Sequence, residues 1–368
     1  MNMKMIYCTS INFPSKLANR IQTINNSIQF QKILKNNFFL GCNNFNNEIH
    51  DYKINIVNFY IKKSFILSVK YLFFIKKNKI NTVYCRELRL LFFLIIFNKL
   101  FFRLKLKYVY EVHWLGANKI DFYVNKFLIN YVDYFVFITN CLKNSFFKAH
   151  VKKEDLFSFI VSPDGVNLDN FSFSTNKETA RNLLHLPNDK KIILYSGSLK
   201  VYNWKGVDVF LELVKFFSEK YYFILVGGRK SSVEAIRNKY NDKNLFLTGY
   251  VDHERVPLYL KSADVLVLPN KSGNIISECY TSPLKLFEYM ASGVPIVASS
   301  LPSIKEILNE ENSFLFEANN VNDLSEKINF VLENKDEAEK RAKKAFENVK
   351  SYTWEKRAEN IINFIKNN

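Results

Sequence analysis

A chain of 368 residues with 48% hydrophobic and 16% aromatic content is long enough for two domains with proper cores and too apolar to be disordered. A formal net charge of +17 calls for an anionic partner, yet no basic recognition helix, zinc finger or RNA-binding signature is present, which argues against nucleic acid and leaves an anionic membrane surface. Five scattered cysteines without Cys-x-x-Cys spacing speak against a zinc site and for a reduced, cytoplasmic setting. The longest apolar run, Leu90–Phe97, is far short of the roughly 18–20 residues of a membrane span. The wealth of Asn, Lys, Ile and Phe also fits an AT-rich coding genome, which would make part of the charge compositional.

The N-terminus runs straight into a strand-like Met5–Cys8, with no sign of a signal peptide. Up to residue 170, short apolar strands alternate with helical stretches, as in a parallel sheet with crossovers. Strands are expected at Lys4–Cys8, Phe38–Gly41, Asn81–Tyr84, Tyr108–Val112, Tyr134–Ile138 and Phe157–Val161. The loop Phe13–Thr23 opens a helix at the sheet's C-terminal edge, where ligands bind in such folds. Arg86 ends another strand, and a surface salt bridge with Glu87 is the favoured reading. Between Glu87 and Tyr108, Phe and Leu alternate with Arg89, Lys99, Arg103, Lys105 and Lys107; a basic interfacial surface and a buried crossover helix with a Lys fringe explain this equally well. Glu111-Val-His113-Trp114 ends a further strand, and Ser162-Pro-Asp-Gly-Val-Asn167 closes the first series, with the domain boundary expected near residue 172.

A second series starts at Ile192–Ser196 and runs through the loop Gly197–Gly206, a helix Val207–Phe217, and strands Tyr222–Val226, Leu245–Leu247 and Val265–Leu268. It reaches Tyr280–Gly293, the most informative stretch of the chain. Ser282 stands where an N-cap belongs and Pro283 at a first helical position. Lys285 then falls in the first turn, an odd place for a cation beside the partial positive charge of a helix N-terminus. The oddity disappears if a phosphate group lies there, held by free backbone N–H groups and the Lys ammonium together. Glu288, one turn on, is placed to accept hydrogen bonds from hydroxyls attached to that phosphate. Leu284, Phe287 and Met290–Ala291 form the apolar face, and Gly293 ends the helix before the buried strand Val294–Ala298. Helices Val321–Asn334 and Asp336–Lys350 and a final helix from Ser351 complete the chain.

The run Ser-Pro-Leu-Lys285 followed by Glu288-Tyr-Met-Ala-Ser-Gly293 and Pro-Ile-Val resembles the donor-binding signature of retaining glycosyltransferases of family 4, the group 1 family. Gly-Ser-Leu…Lys205-Gly206, Gly249-Tyr-Val, Ala263-Asp-Val…Pro269, Pro163-Asp-Gly-Val and Tyr110-Glu-Val-His113 resemble further family motifs. The resemblance implies the α/β GT-B fold, two Rossmann-like domains facing each other across a cleft. These are an acceptor-side domain 1–172, a nucleotide-sugar domain 173–350, and a helix 351–368 packing back on the first. It implies that Lys205 and Lys285 hold the diphosphate, with Ser282, Pro283 and Leu284 opening the phosphate site. It also implies that Glu288 holds the ribose, Tyr250 and Val251 cradle the base, Gly197, Ser198 and Gly165 line the donor site, and His113 reaches the sugar. Asn19, Arg20 and Gln22 become candidates for the acceptor floor. Three positions depart from the family: Tyr280 replaces the first of a glutamate pair, with Glu278 two residues out of register. Ser198 replaces an Arg, a charge that Lys200 could supply, and Asn167 replaces an Asp. No Asp-x-Asp is present, so neither metal nor other cofactor is expected. The expected partners are a nucleotide-sugar, a glycan or lipid-linked acceptor, and an anionic membrane surface at the inner face of the plasma membrane. A nucleotide-sugar 2-epimerase of the same fold and a non-enzymatic basic protein are the alternatives.

Overall fold

The computed structural model describes residues 3–13, 18–45, 53–116, 118–151, 157–172, 175–199, 203–217 and 220–368. The chain forms two compact units, Met1–Asp164 with Trp354–Asn368, and Gly165–Thr353. Residue 172, the boundary expected from sequence, lies inside the second unit.

The first unit is built on a parallel sheet of β1 (Met5–Cys8), β2 (Phe38–Cys42), β3 (Ile56–Asn58), β4 (Thr82–Cys85), β5 (Lys107–Val112), β6 (Tyr134–Phe137) and β7 (Ser158–Val161). Their spatial order is β3-β2-β1-β4-β5-β6-β7. Runs such as Met-Ile-Tyr-Cys and Tyr-Phe-Val-Phe are buried at every position because helices cover both faces, so they read as continuous apolar stretches. The helices include α1 (Ala18–Leu34), α2 (Ser64–Lys77), α3 (Leu88–Phe97), α4 (Lys119–Leu128) and, from the far end of the chain, the last helix, Trp354–Asn367. Trp354, Arg357, Ala358, Ile361, Ile362 and Ile365 repeat at helical spacing along that last helix and are buried. Ala358 and the three isoleucines join Phe30, Leu34, Tyr84 and Val109 in one core.

In the second unit β8 (Lys191–Ser196), β9 (Tyr221–Val226), β10 (Leu245–Gly249), β11 (Val265–Leu268), β12 (Ile296–Ser299) and β13 (Phe314–Phe316) lie in the order β10-β9-β8-β11-β12-β13, all parallel. Both sheets therefore step outward from their first strand in one direction and then resume on its other side. Each has a switch point where the loops leaving two adjacent strands diverge, the place where open parallel sheets bind ligands. In the first unit those loops follow β1 and β4; in the second they follow β8 and β11.

Candidate active site

In the second unit, the loop after β8 carries Gly197 at φ +135°, an exposed position whose N–H bonds Val226 O at 2.8 Å. Ser198, half-buried, turns its carbonyl to the Tyr195 hydroxyl at 3.2 Å. Lys200 lies outside the described residues. Gly206, at φ +71°, passes so close to the segment after β11 that a Cβ would stand 1.6 Å from Pro269 O. The two loops are also tied by Lys271 N–H to Trp204 O at 2.8 Å and by the ion pair of Lys271 with Asp208 at 2.7 Å. Only glycine fits here, and it draws Lys205 onto the switch point. Asn270, also at that point, is fully buried with neither its carboxamide oxygen nor its nitrogen partnered.

Helix α5 (Val207–Phe217) follows this loop and packs its apolar face under the sheet, and α6 (Leu284–Ser292) carries Lys285 and Glu288. Pro283 itself occupies the N-cap of α6, at φ −72° and ψ 122°, and no side chain caps the helix. The expectation of Ser282 as cap and Pro283 inside the helix is therefore displaced by one residue. An extended Pro283 leaves its carbonyl to accept the Leu286 N–H at 2.9 Å, so the helix begins only at Leu284. Leu284 is half-buried, and the buried face is Leu286, Phe287, Tyr289, Met290 and Ala291. The fully buried Tyr289 fixes α6 against the sheet, its hydroxyl accepting from Ser196 N–H at 2.8 Å.

Lys285 Nζ is buried and has no hydrogen-bond partner; it lies 4.1 Å from the centre of the Tyr195 ring. Burial, and then the positive charge of neighbouring Lys205, push this ammonium well below the ordinary lysine range, against the pull of Glu288. An enclosed cation held beside a second cation is costly unless an anion joins them. Glu288, its side chain 12% exposed, bonds His253 Nε2 through Oε1 at 2.7 Å. Tyr250 is half-exposed, and the half-buried Val251 packs against the core. Glu278 is engaged with Gly273 N–H at 2.7 Å. Tyr280 stands half-buried where the family has its first Glu. Gly165 is buried at the head of the unit, beside the bridge of Val166 to Thr353.

Residues 176–348 match the family described as glycosyl transferases group 1. That span is similar to the group 1 glycosyl transferases. An uncharacterized glycosyltransferase of Methanocaldococcus jannaschii is 25% identical over 58% of this chain and 62% of its own length. The N,N'-diacetylbacillosaminyl-diphospho-undecaprenol alpha-1,3-N-acetylgalactosaminyltransferase of Campylobacter jejuni is 26% identical over 67% of this chain and 63% of its own. The chain thus spans less than two thirds of the length of either curated relative. The structure of Anabaena Alr3699/HepE in complex with UDP superposes with a TM-score of 0.81 at 14% identity, covering all of both chains. The fold is GT-B, two Rossmann-like domains of parallel sheet and helix.

Outside the matched span, the first unit collects charged side chains at its own sheet edge. Glu111 is fully buried and accepts from Arg357 Nη2 at 2.7 Å, the Tyr7 hydroxyl at 3.1 Å and His113 Nε2 at 3.1 Å. Arg357 also donates to Asn26 Oδ1 at 2.8 Å and Pro163 O at 3.0 Å. Burial opposes the charge on Glu111, but Arg357 and His113 outweigh it and hold the carboxyl well below its usual range. Burial, then Arg86, lowers His113 to about 4, so its imidazole is neutral at pH 7. With the Nε2 proton on Glu111, Nδ1 is left as a hydrogen-bond acceptor. Asp164, raised to about 7 by burial against the pull of Arg357, accepts from Gln22 at 2.5 Å. Arg86 Nη1 donates to the same Gln22 at 3.2 Å. The surface pair of Arg86 with Glu87 is thereby corrected: Glu87 instead accepts from Thr9 Oγ1 at 2.5 Å, Ser10 N–H at 2.8 Å and the Ser10 hydroxyl. Arg20 is half-buried, and the Asn19 side chain lies outside those described.

Proposed function

We propose that the protein is a retaining, metal-independent glycosyltransferase that moves a sugar from a nucleotide-sugar to a glycan or lipid-linked acceptor. The observation that carries this is Lys285, a buried ammonium with no partner, beside Lys205 at the switch point of the span that matches the group 1 family. Fixed positive groups aimed at a departing diphosphate stabilise the charge that develops on it, and need no rearrangement during reaction. In this reading Lys205, Lys285 and the uncapped start of α6 do the work that a metal ion does elsewhere. Ser282, Pro283 and Leu284 shape the phosphate site, and Gly197, Ser198 and Gly165 let the donor approach. Glu288 takes the ribose, the Tyr250–Val251 backbone takes the base, and His113 accepts from a sugar hydroxyl through Nδ1. The leaving phosphate acts as base. The UDP bound by Anabaena HepE and the diphospho-undecaprenol in the Campylobacter enzyme's name support a nucleotide donor and an envelope acceptor.

The acceptor side is proposed to work at the inner face of the plasma membrane. No helix among the described residues is long and apolar enough to cross a membrane. Residues 53–151 carry seventeen Lys or Arg against four Asp or Glu. On the same part of the first unit Phe73, Leu100, Phe101 and Ile120 are all more than 60% exposed. Ring contacts of Phe73 with Phe102 at 5.0 Å and Phe92 with Phe127 at 5.1 Å join α2, α3 with its following turn, and α4 into one such surface. Apolar side chains ringed by lysine fit the boundary of an anionic leaflet.

Calorimetry with UDP, GDP and dTDP, followed by transfer assays with the matching sugars, tests the enzyme reading. Micromolar binding of one nucleotide and release of its diphosphate with a retained anomer are expected. Recovery of a 2-epimerised nucleotide-sugar would transfer the assignment to the epimerase, and no binding to any of the three would leave a basic binding protein.

A further inference from the structure

The carboxylate of Glu288 is not alone at the base-and-ribose end of the second unit. The turn His253–Arg255 follows Tyr250 and Val251, which come directly after β10, and brings His253 Nε2 to 2.7 Å from Glu288 Oε1. The imidazole is 45% exposed, whereas the carboxylate is 12% exposed. One oxygen of Glu288 is thus taken by a ring that reaches in from the surface, and Oε2 is left for another donor. We propose that His253 is a positioning residue for nucleotide binding, fixing the Glu288 carboxylate so that Oε2 receives a ribose hydroxyl. This rests on the glycosyltransferase reading above and adds to it a residue that neither the motifs nor the resemblance singled out.

The chemistry gives the pair a signature. Its hydrogen bond to Glu288 raises the imidazole above its ordinary range, opposed by partial burial and helped by Glu254 on the same turn. Lys285, three residues before Glu288 on α6, is held in turn by Glu288 and repelled by Lys205. Below the raised value, the pair is imidazolium and carboxylate, a charge-assisted bond roughly twice as strong as a neutral one. As pH rises through that value the charge is lost, the carboxylate is held less firmly, and ribose binding weakens. Lysine and phosphate titrations also act on a nucleotide but do not require the ribose.

The test is calorimetry at pH 6.0 and 8.0 with UDP (GDP where UDP does not bind) and with inorganic pyrophosphate, on the wild type, His253→Gln and Glu288→Gln. Wild-type UDP affinity is expected to fall about fivefold more than pyrophosphate affinity between the two pH values. His253→Gln, which keeps an N–H donor without a charge, should abolish that excess while preserving most binding at pH 8.0. Glu288→Gln should abolish it and weaken UDP at both. An unchanged excess in His253→Gln, or an equal effect on pyrophosphate, overturns the assignment of His253. Wild type that binds neither nucleotide nor pyrophosphate overturns the parent reading and this one with it.

Discussion

The two units share a strand order and a switch point, yet treat buried charge in opposite ways. In the first, Glu111, Arg357, His113 and Tyr7 satisfy one another, and Gln22 joins Arg86 to Asp164. In the second, Lys285 faces Lys205 and an aromatic ring, with no anion in hydrogen-bond reach. A satisfied network specifies structure, because each member is compensated within the fold. A cation left unpaired at a ligand-binding edge lowers the stability of the free protein and is released from that cost only by an anionic ligand. The same kind of substitution should therefore have opposite effects on stability in the two units.

The largest contrast comes from removing one charge on each side. Arg357→Ala leaves Glu111 ionised, fully buried and without its guanidinium, and should cost about 3–5 kcal/mol in urea unfolding. A loss below 1 kcal/mol would show that the network is not what holds the last helix. Next, the raised Asp164 should make the first unit lose stability as pH climbs from about 4 through about 7, since a carboxyl with a raised folded value is stabilising only while protonated. Asp164→Asn removes that loss, so its advantage over wild type should grow to at most about 4 kcal/mol by pH 8 and vanish near pH 4. His113, depressed to about 4, acts in the reverse sense and costs stability as pH falls below 6.5, in both proteins alike.

In the second unit, Lys285→Ala and Lys205→Ala should each cut transfer about a hundredfold, roughly 2.7 kcal/mol of transition-state stabilisation. Thermal unfolding of the free Lys285→Ala protein should be unchanged or later than wild type, and the stabilisation given by a nucleoside diphosphate should shrink. A marked drop in the free protein's Tm would mean that Lys285 has a structural partner after all. The smallest effect per residue is on the surface. Neutralising Lys99, Arg103, Lys105 and Lys107 should reduce salt-sensitive flotation with anionic vesicles by about 1 kcal/mol for each charge. Equal recovery with neutral vesicles would separate the charge from any membrane role.

Local pattern carried the sequence reading a long way. The apolar spacing of Val207–Phe217 placed that helix to the residue, and Val265–Leu268 was legible as a buried strand. Ile56–Asn58 and Phe314–Phe316 were not, because three residues give no period to read. At the candidate site, the Ser-Pro-Leu-Lys285 run and the Lys205-Gly206 loop stood out because backbone demands fix their residue types. What stayed hidden depends on distant partners. Arg86 looked like a neighbour of Glu87 until Gln22 and Glu111 were brought beside it, and nothing near Glu111 in the chain announces Arg357. His253 is silent in the sequence for the same reason, since its contact with Glu288 spans thirty-five positions. Asn270 had a strand-end Pro-Asn as its only signal.

The last helix gives the chain an unusual order of manufacture. Synthesis runs from the N-terminus, and domains usually fold in that order as they emerge. Here Gly165–Thr353 is contiguous and can close while still tethered, whereas the unit that begins first waits for Trp354–Asn367. Until then Glu111 has no Arg357, and the core around Phe30 and Tyr84 lacks Ile361, Ile362 and Ile365. Nascent chains stalled after Thr353 and emerged from the ribosome should accordingly yield a protease-resistant second unit and a cleavable first.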